Sequence, residues 1–207
     1  MECEAKAIAQ RCESDKTFRG NYYRLCNNWF EDVPVKDFCN RPINYLEIGG
    51  YYGANLLSVC NHYAKHPQSK AYVIDPWIDY EEYTEYKGKQ TQIFYDFLHN
   101  ITISGHKDKI NIYKGYSHNE IPRLPDEYFD IIYIDGNHSP PYILEDCVLA
   151  YRKLKVGGYM ILDDYGWIDE ETEENTEDGI DAFMVGYASK MIKVGLKNTQ
   201  MILRKKK

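Results

Sequence analysis

The chain has 207 residues, 43% of them hydrophobic, and a formal net charge of −7. That length suits one medium domain able to bury a core, and the acidic balance argues against a nucleic-acid groove as the main surface, because phosphate binding needs clustered Lys and Arg. No run reaches the roughly twenty apolar residues of a membrane span, and no apolar signal segment opens the sequence. The six cysteines, Cys3, Cys12, Cys26, Cys39, Cys60 and Cys147, include no CxxC pair. This pattern points to free thiols in a reducing, cytoplasmic setting.

The first forty residues read as a helical extension that packs through Trp29, Phe30 and Phe38. An apolar strand over 43–48 carries Glu47 near its end, and Gly49, Gly50 and Gly53 follow before a helix over 54–66. A second strand over 71–74 runs into Asp75, and a helix is predicted over 91–103. A strand over 110–114 precedes Gly115-Tyr116-Ser117, and the strand over 129–134 meets Asp135. A helix over 141–154 then stops at Lys155-Val156-Gly157-Gly158, read as a tight turn into a strand over 159–162 that ends at Asp163. The acidic run 169–178 reads as a solvated loop and 179–189 as a helix. Strands over 191–194 and 199–203 flank Gly195-Leu196-Lys197-Asn198 as a hairpin, and the basic end, 204–207, reads as a solvated tail.

Apolar strands alternating with helices imply an α/β domain. The expected architecture is a Rossmann-like, mostly parallel seven-stranded sheet with helices on both faces and an antiparallel C-terminal hairpin. One domain spans 1–207, with 1–40 as the extension and 41–207 as the core.

Ligands of open α/β sheets bind beyond the carboxyl ends of the strands, where Glu47, Asp75, Asp135 and Asp163 all fall. A dinucleotide fold wants G-x-G-x-x-G, but here Tyr51 stands where the middle glycine would allow a pyrophosphate to approach. Glu47 would also repel phosphates. Both features favour a ligand with an adenosine and a cationic group but no phosphate. Asp135, Asp163 and Asp164 form a second group of carboxylates at the same sheet edge. Three converging carboxylates call for a cation, and hard oxygen ligands suit Mg²⁺. His138, three residues beyond Asp135, is a candidate general base. Glu145 and Asp146 read as solvent-facing or capping residues, and the other histidines as structural or surface groups.

These motifs, in order, resemble the class I S-adenosylmethionine-dependent methyltransferases, and most of all their macrocin-type sugar O-methyltransferase branch. The resemblance rests on Leu46-Glu47-Ile48-Gly49 with Gly53, Ile74-Asp75-Pro76-Trp77, Gly115-Tyr116-Ser117, Tyr133-Ile134-Asp135-Gly136-Asn137-His138 and Leu162-Asp163-Asp164-Tyr165, with Ser14-Asp15-Lys16 upstream. It implies a cofactor site in which Glu47 and Gly49 line the methionine part and Gly53 and Asn55 shape the turn. Asp75 would hold the ribose hydroxyls, and Tyr116 and Ser117 would lie near adenine. It also implies Mg²⁺ on Asp135, Asp163 and Asp164, with His138 or Asp135 as base, and transfer to a sugar hydroxyl of a glycan or nucleotide sugar. A phenolic or other small-molecule acceptor, with Tyr22, Tyr23 and Trp29 as an apolar lid, is the alternative. A non-methyltransferase relative on the same fold is another. Asn137 departs from the aspartate common in such relatives. No nucleic-acid or membrane partner is expected, and a homo-oligomer is compatible with the sequence.

Overall fold

The computed structural model describes residues 12–21, 25–79 and 87–206. Cys3, Tyr22 and Tyr23 lie outside these residues, so the expected tyrosine lid does too. Seven strands form one sheet in the order β3-β2-β1-β4-β5-β7-β6. They are β1 (Asn44–Ile48), β2 (Lys70–Asp75), β3 (Ile110–Lys114), β4 (Phe129–Ile134), β5 (Leu154–Leu162), β6 (Met191–Lys197) and β7 (Gln200–Lys205). The first five pair in parallel, and β7 runs antiparallel to both β5 and β6. Around them lie α1 (Ala54–His62), α2 (Gln90–Ile103), α3 (Ser117–Glu120), α4 (Pro140–Lys153) and α5 (Thr176–Tyr187). This is the expected Rossmann-like architecture.

The sheet separates two apolar layers because side chains alternate along each strand. Tyr45, Ile131 and Tyr133 point to the side of Trp29, Tyr63 and Phe97. Leu46, Ile48, Ile132 and Ile134 point to the side of Ile143, Cys147 and Phe183. Such strands, covered on both faces, need no polar side and read as continuous apolar runs.

The N-terminal extension forms short 3-10 turns, Leu25–Trp29 and Val35–Asp37, among its described residues. Trp29 is buried in the core, not in a lid, and its indole N–H donates to Gln200 Oε1 at 2.8 Å. Phe38 is buried as expected, whereas Phe30 stays 37% exposed and rests its ring 5.3 Å from that of His62. Farther upstream, Cys12 Sγ lies 3.3 Å from His99 Nδ1. His99 Nε2 is 3.0 Å from the Thr17 carbonyl, so that nitrogen carries the proton and Nδ1 accepts from the thiol.

Four local readings differ from the sequence expectation. Residues 155–158 are not a turn before a strand but a bulge within β5. Phe129 pairs with Leu154 and Ile131 with Tyr159, so Asp130 alone faces the extra residues. Its carboxylate gathers Arg41 and Lys155, each at 2.8 Å, and the Asn44 N–H at 2.9 Å. The hairpin turns two residues later than predicted, at Asn198 and Thr199 with φ of 46° and 67°. That pair suits a two-residue turn whose twist matches its strands. The basic tail is partly structural: Lys205 ends β7, is buried, and donates to the carbonyls of Leu154 and Tyr151 at 2.7 and 3.1 Å. The acidic run is loop only to Asn175, which caps α5 by accepting the Glu177 N–H at 2.9 Å. Among the described residues no helix is long and apolar enough to cross a membrane.

Candidate active site

A cavity of about 710 Å³ opens where the strand order reverses between β1 and β4. That crevice is where open parallel sheets take ligands, and the volume suits a small molecule. Gly49 forms its floor. The Gly49 N–H donates to Ile74 O at 2.9 Å and the Asp135 N–H to Ile48 O at 2.8 Å, which ties three strand ends together. A Cβ at Gly49, where φ is +90°, would fall 1.7 Å from the Asp135 carbonyl oxygen. Only glycine allows this approach.

Asp75 holds the turn that follows. One carboxylate oxygen accepts the N–H groups of Gly50 and Tyr51 at 2.8 and 2.9 Å, and the other accepts that of Trp77 at 2.7 Å. Tyr51 and Trp77 both sit at φ of 43°, costly for aromatic residues. The charge-assisted bonds to Asp75 offset that strain. Burial nonetheless raises the Asp75 pKa, against the opposing effect of the three N–H donors. Asp75 also lines the cavity.

Glu47 points elsewhere. It is 1% exposed on the opposite face of the sheet, and its Oε2 accepts from the Tyr45 hydroxyl at 2.5 Å and from Asn55 Nδ2 at 3.0 Å. It also accepts the Leu56 backbone N–H, one of the amides left over at the start of α1, where the N-cap is Gly53 with no side chain to offer. Burial pushes its pKa up to about 8, against the lowering effect of Tyr45 and with Asp135 adding to the rise. Gly53 and Asn55 likewise stand behind the cavity wall. An acid with a raised folded pKa binds its proton more tightly folded than unfolded, so its stabilisation is full below about 4.5 and lost as pH rises through about 8. Glu47→Gln is therefore expected to flatten the fall of stability between pH 5 and 8, read as urea midpoints across that range; an unchanged slope refutes the assignment.

The cavity wall also gathers Asp135, His138 and Asp164, each offering a ligand atom within 4.8 Å of the others. His138 Nε2 is 3.0 Å from Asp164 Oδ2 and 3.7 Å from Asp135 Oδ1. The Trp167 ring lies 5.1 Å from that imidazole, and the Thr176 hydroxyl donates to the His138 carbonyl at 3.3 Å. Asp163 belongs behind this group. It accepts from the Tyr133 hydroxyl, from Gln200 Nε2 at 3.1 Å and from the Asp164 N–H at 2.9 Å. The last bond holds Asp164 at φ of 52° and so aims its side chain. Burial, with the Asp135 and Asp164 charges, pushes the Asp163 pKa up to about 7.

Tyr116 and Ser117 line the cavity at the start of α3. Asp146 was missed. Instead of facing solvent it is 3% exposed, lines the cavity and bonds to Ser117, and burial pushes its pKa up to about 7. The signal was available, because Ile143, Cys147 and Ala150 mark the inward stripe of α4 and Asp146 falls on it. Five described acids, Asp75, Asp135, Glu145, Asp146 and Asp164, line the cavity, and no Lys or Arg is among its described lining residues.

Residues 46–165 match a family described as "Methyltransferase domain". No curated protein sequence matches the chain. Solved structures share the fold at low identity. The O-methyltransferase TomG from Streptomyces achromogenes, in complex with SAM, is 14% identical with a TM-score of 0.63, over 100% of this chain and 91% of that one. An O-methyltransferase from Bacillus cereus in complex with SAH is 16% identical with a TM-score of 0.60, over 97% and 89%. The MycE methyltransferase of the mycinamycin pathway, in complex with Mg and SAH, is 13% identical with a TM-score of 0.56, over 97% of this chain and 54% of that one.

Proposed function

The chain belongs to the methyltransferase-domain family, and on that premise we propose that it is an S-adenosylmethionine-dependent O-methyltransferase acting on a sugar hydroxyl. The observation that carries this reading is the cavity itself: acid-lined, without described Lys or Arg, and ending at Asp135, His138 and Asp164. Such a wall attracts a sulfonium and an ammonium and repels a pyrophosphate. The same wall favours an uncharged glycoside over a nucleotide sugar. TomG and the Bacillus cereus enzyme, solved with SAM and SAH, support the cofactor class.

Two carboxylates within reach of one another beside an imidazole fit a divalent cation, which when bound would lower the pKa of a coordinated hydroxyl. Asp135 and Asp164 are the residues that would hold it, with Asp163 positioning Asp164 and the His138 nitrogen left for the proton. The chain's own contribution is orientation and proton removal. His138 Nε2, held between the two carboxylates, takes the hydroxyl proton, and Asp164 stabilises the imidazolium that forms. The Trp167 ring limits water around that nitrogen. Gly49 and the Asp75 turn keep the strand ends beside this group rigid, so the acceptor oxygen is held in line with the methyl group.

A phenolic acceptor is favoured by a different observation, the half-exposed Tyr116 and Tyr142 rings on the cavity rim. Mass spectrometry of products from glycoside and phenol panels separates the two. A thermal shift tests the cofactor: S-adenosylhomocysteine at 100 times its Kd should add about 2.7 kcal/mol, and NAD⁺ should add nothing. Absence of stabilisation by the first sinks the methyltransferase reading. Dialysis against EDTA is expected to abolish turnover, with recovery on adding Mg²⁺ or Mn²⁺; full activity in excess EDTA removes the cation and leaves His138 and Asp164 working as a pair.

A further inference from the structure

We propose that Gln200, oriented by the Trp29 indole, is a positioning residue that sets the aim of Asp164; its consequence for turnover rests on the reading above of Asp164 and His138 as the acceptor side. Gln200 opens β7 and is fully buried. The two ends of its amide face different elements. Oε1 accepts from the Trp29 indole N–H at 2.8 Å and from Asn28 Nδ2 at 3.3 Å, both on the first 3-10 turn of the N-terminal extension. Nε2 donates to Asp163 Oδ2 at 3.1 Å and to the Tyr133 hydroxyl oxygen at 3.4 Å.

The chemistry of these partners allows one orientation. An indole N–H can only donate, so it must meet the amide oxygen. The amide nitrogen then points at Asp163. A flipped amide would set N–H against N–H at Trp29 and oxygen against carboxylate at Asp163, inside a core where an unmet polar group is costly. Two consequences reach the cavity. With Oδ2 anchored by Gln200, Asp163 keeps Oδ1 for the Asp164 N–H at 2.9 Å, the bond that holds Asp164 at its positive φ. The Tyr133 hydroxyl, which takes the Gln200 N–H on its oxygen, turns its own proton toward Asp163 and toward Asp135 Oδ2, 3.2 Å away. Gln200 thus steadies both carboxylates that flank His138. Trp29 is not among the described lining residues of the cavity, so its effect on the site is transmitted through this buried network.

The test combines hydrogen exchange by NMR with kinetics on the full chain. Trp29→Phe removes the indole N–H and keeps a ring against Tyr133. Gln200→Met keeps the length of the side chain and removes the amide. Each is expected to speed exchange of the Asp164 amide about tenfold while the amides of β2 keep their wild-type rates. With the acceptor that the product panels identify, kcat is expected to fall about 10- to 100-fold, with acceptor KM and S-adenosylhomocysteine Kd within about twofold of wild type. The double variant is expected to lose no more than Gln200→Met alone, because Trp29 acts through Gln200. Wild-type exchange at Asp164 in Trp29→Phe overturns the inference, and this variant carries the test if Gln200→Met fails to fold. Exchange that speeds alike at Asp164 and in β2 also overturns it, because the network then only supports the core. A double variant whose loss is the product of the single losses does the same. Faster exchange at Asp164 with unchanged kcat keeps the positioning and overturns the acceptor-side reading of Asp164 instead.

Discussion

Asp164→Ala is expected to lower turnover by about 10²–10⁴-fold while S-adenosylhomocysteine affinity stays within about threefold of wild type. The separation follows from where Asp164 sits. Its Oδ2 is 3.0 Å from His138 Nε2, in the group both form with Asp135. Removing it deprives the imidazole of its charge partner and the candidate cation site of one of its two carboxylates. Asp164→Asn is the informative companion, because asparagine tolerates the left-handed backbone found here and loses only the charge. Stopped assays paired with calorimetry decide the matter. Lost cofactor affinity with intact turnover would overturn the assignment of Asp164 to the acceptor side.

Gly49→Ala is expected to remove more than about 3 kcal/mol of stability and to abolish cofactor binding. Two costs combine. The positive φ is expensive for any Cβ, by about 1–2 kcal/mol. The new methyl would also lie 1.7 Å from the Asp135 carbonyl, a backbone atom that cannot rotate away. Relief requires β1 and β4 to part at the point where the site is built. Two other glycines calibrate the effect. Gly105, at φ +76° with nothing within 4 Å of its Cβ, should show the backbone cost alone. Gly53, whose Cβ would meet the Phe97 ring at 3.0 Å, should fall between, because a side chain can yield. Urea titrations of the three variants are expected to rank Gly49→Ala well below Gly53→Ala and Gly105→Ala. A Gly49→Ala midpoint equal to that of Gly105→Ala would mean that the close approach is absent.

The strands were legible because burial on both faces leaves a local mark: an uninterrupted apolar run with β-branched residues, as in Phe129–Ile134. The glycine turn after β1 was legible for a related reason, since positive φ and close backbone approach both demand glycine. The turn at Asn198 and Thr199 was not legible, because neither residue is glycine and Gly195 offered a stronger signal three residues away. The bulge at 155–158 was missed for the opposite reason. Two adjacent glycines usually end an element, but here a Cβ at Gly158 would fall 2.9 Å from the Asp130 carbonyl oxygen, so glycine is what lets β5 pass so close to β4.

The sequence by itself determined that acids crowd the carboxyl ends of a parallel sheet, because element type and chain order follow from local pattern. It did not determine what each acid does. Glu47 holds the start of α1, Asp75 and Asp163 hold strained turns, and Asp135 and Asp164 meet His138, yet all five stand at or next to a strand end. A side chain's role depends on which way it points and which N–H groups come within about 3 Å. Those partners arrive from residues far along the chain, such as Gln200 at Asp163. Asp146 makes the same point in reverse: it lies mid-helix, away from every strand end, and only the packing of α4 on the sheet brings it to the cavity.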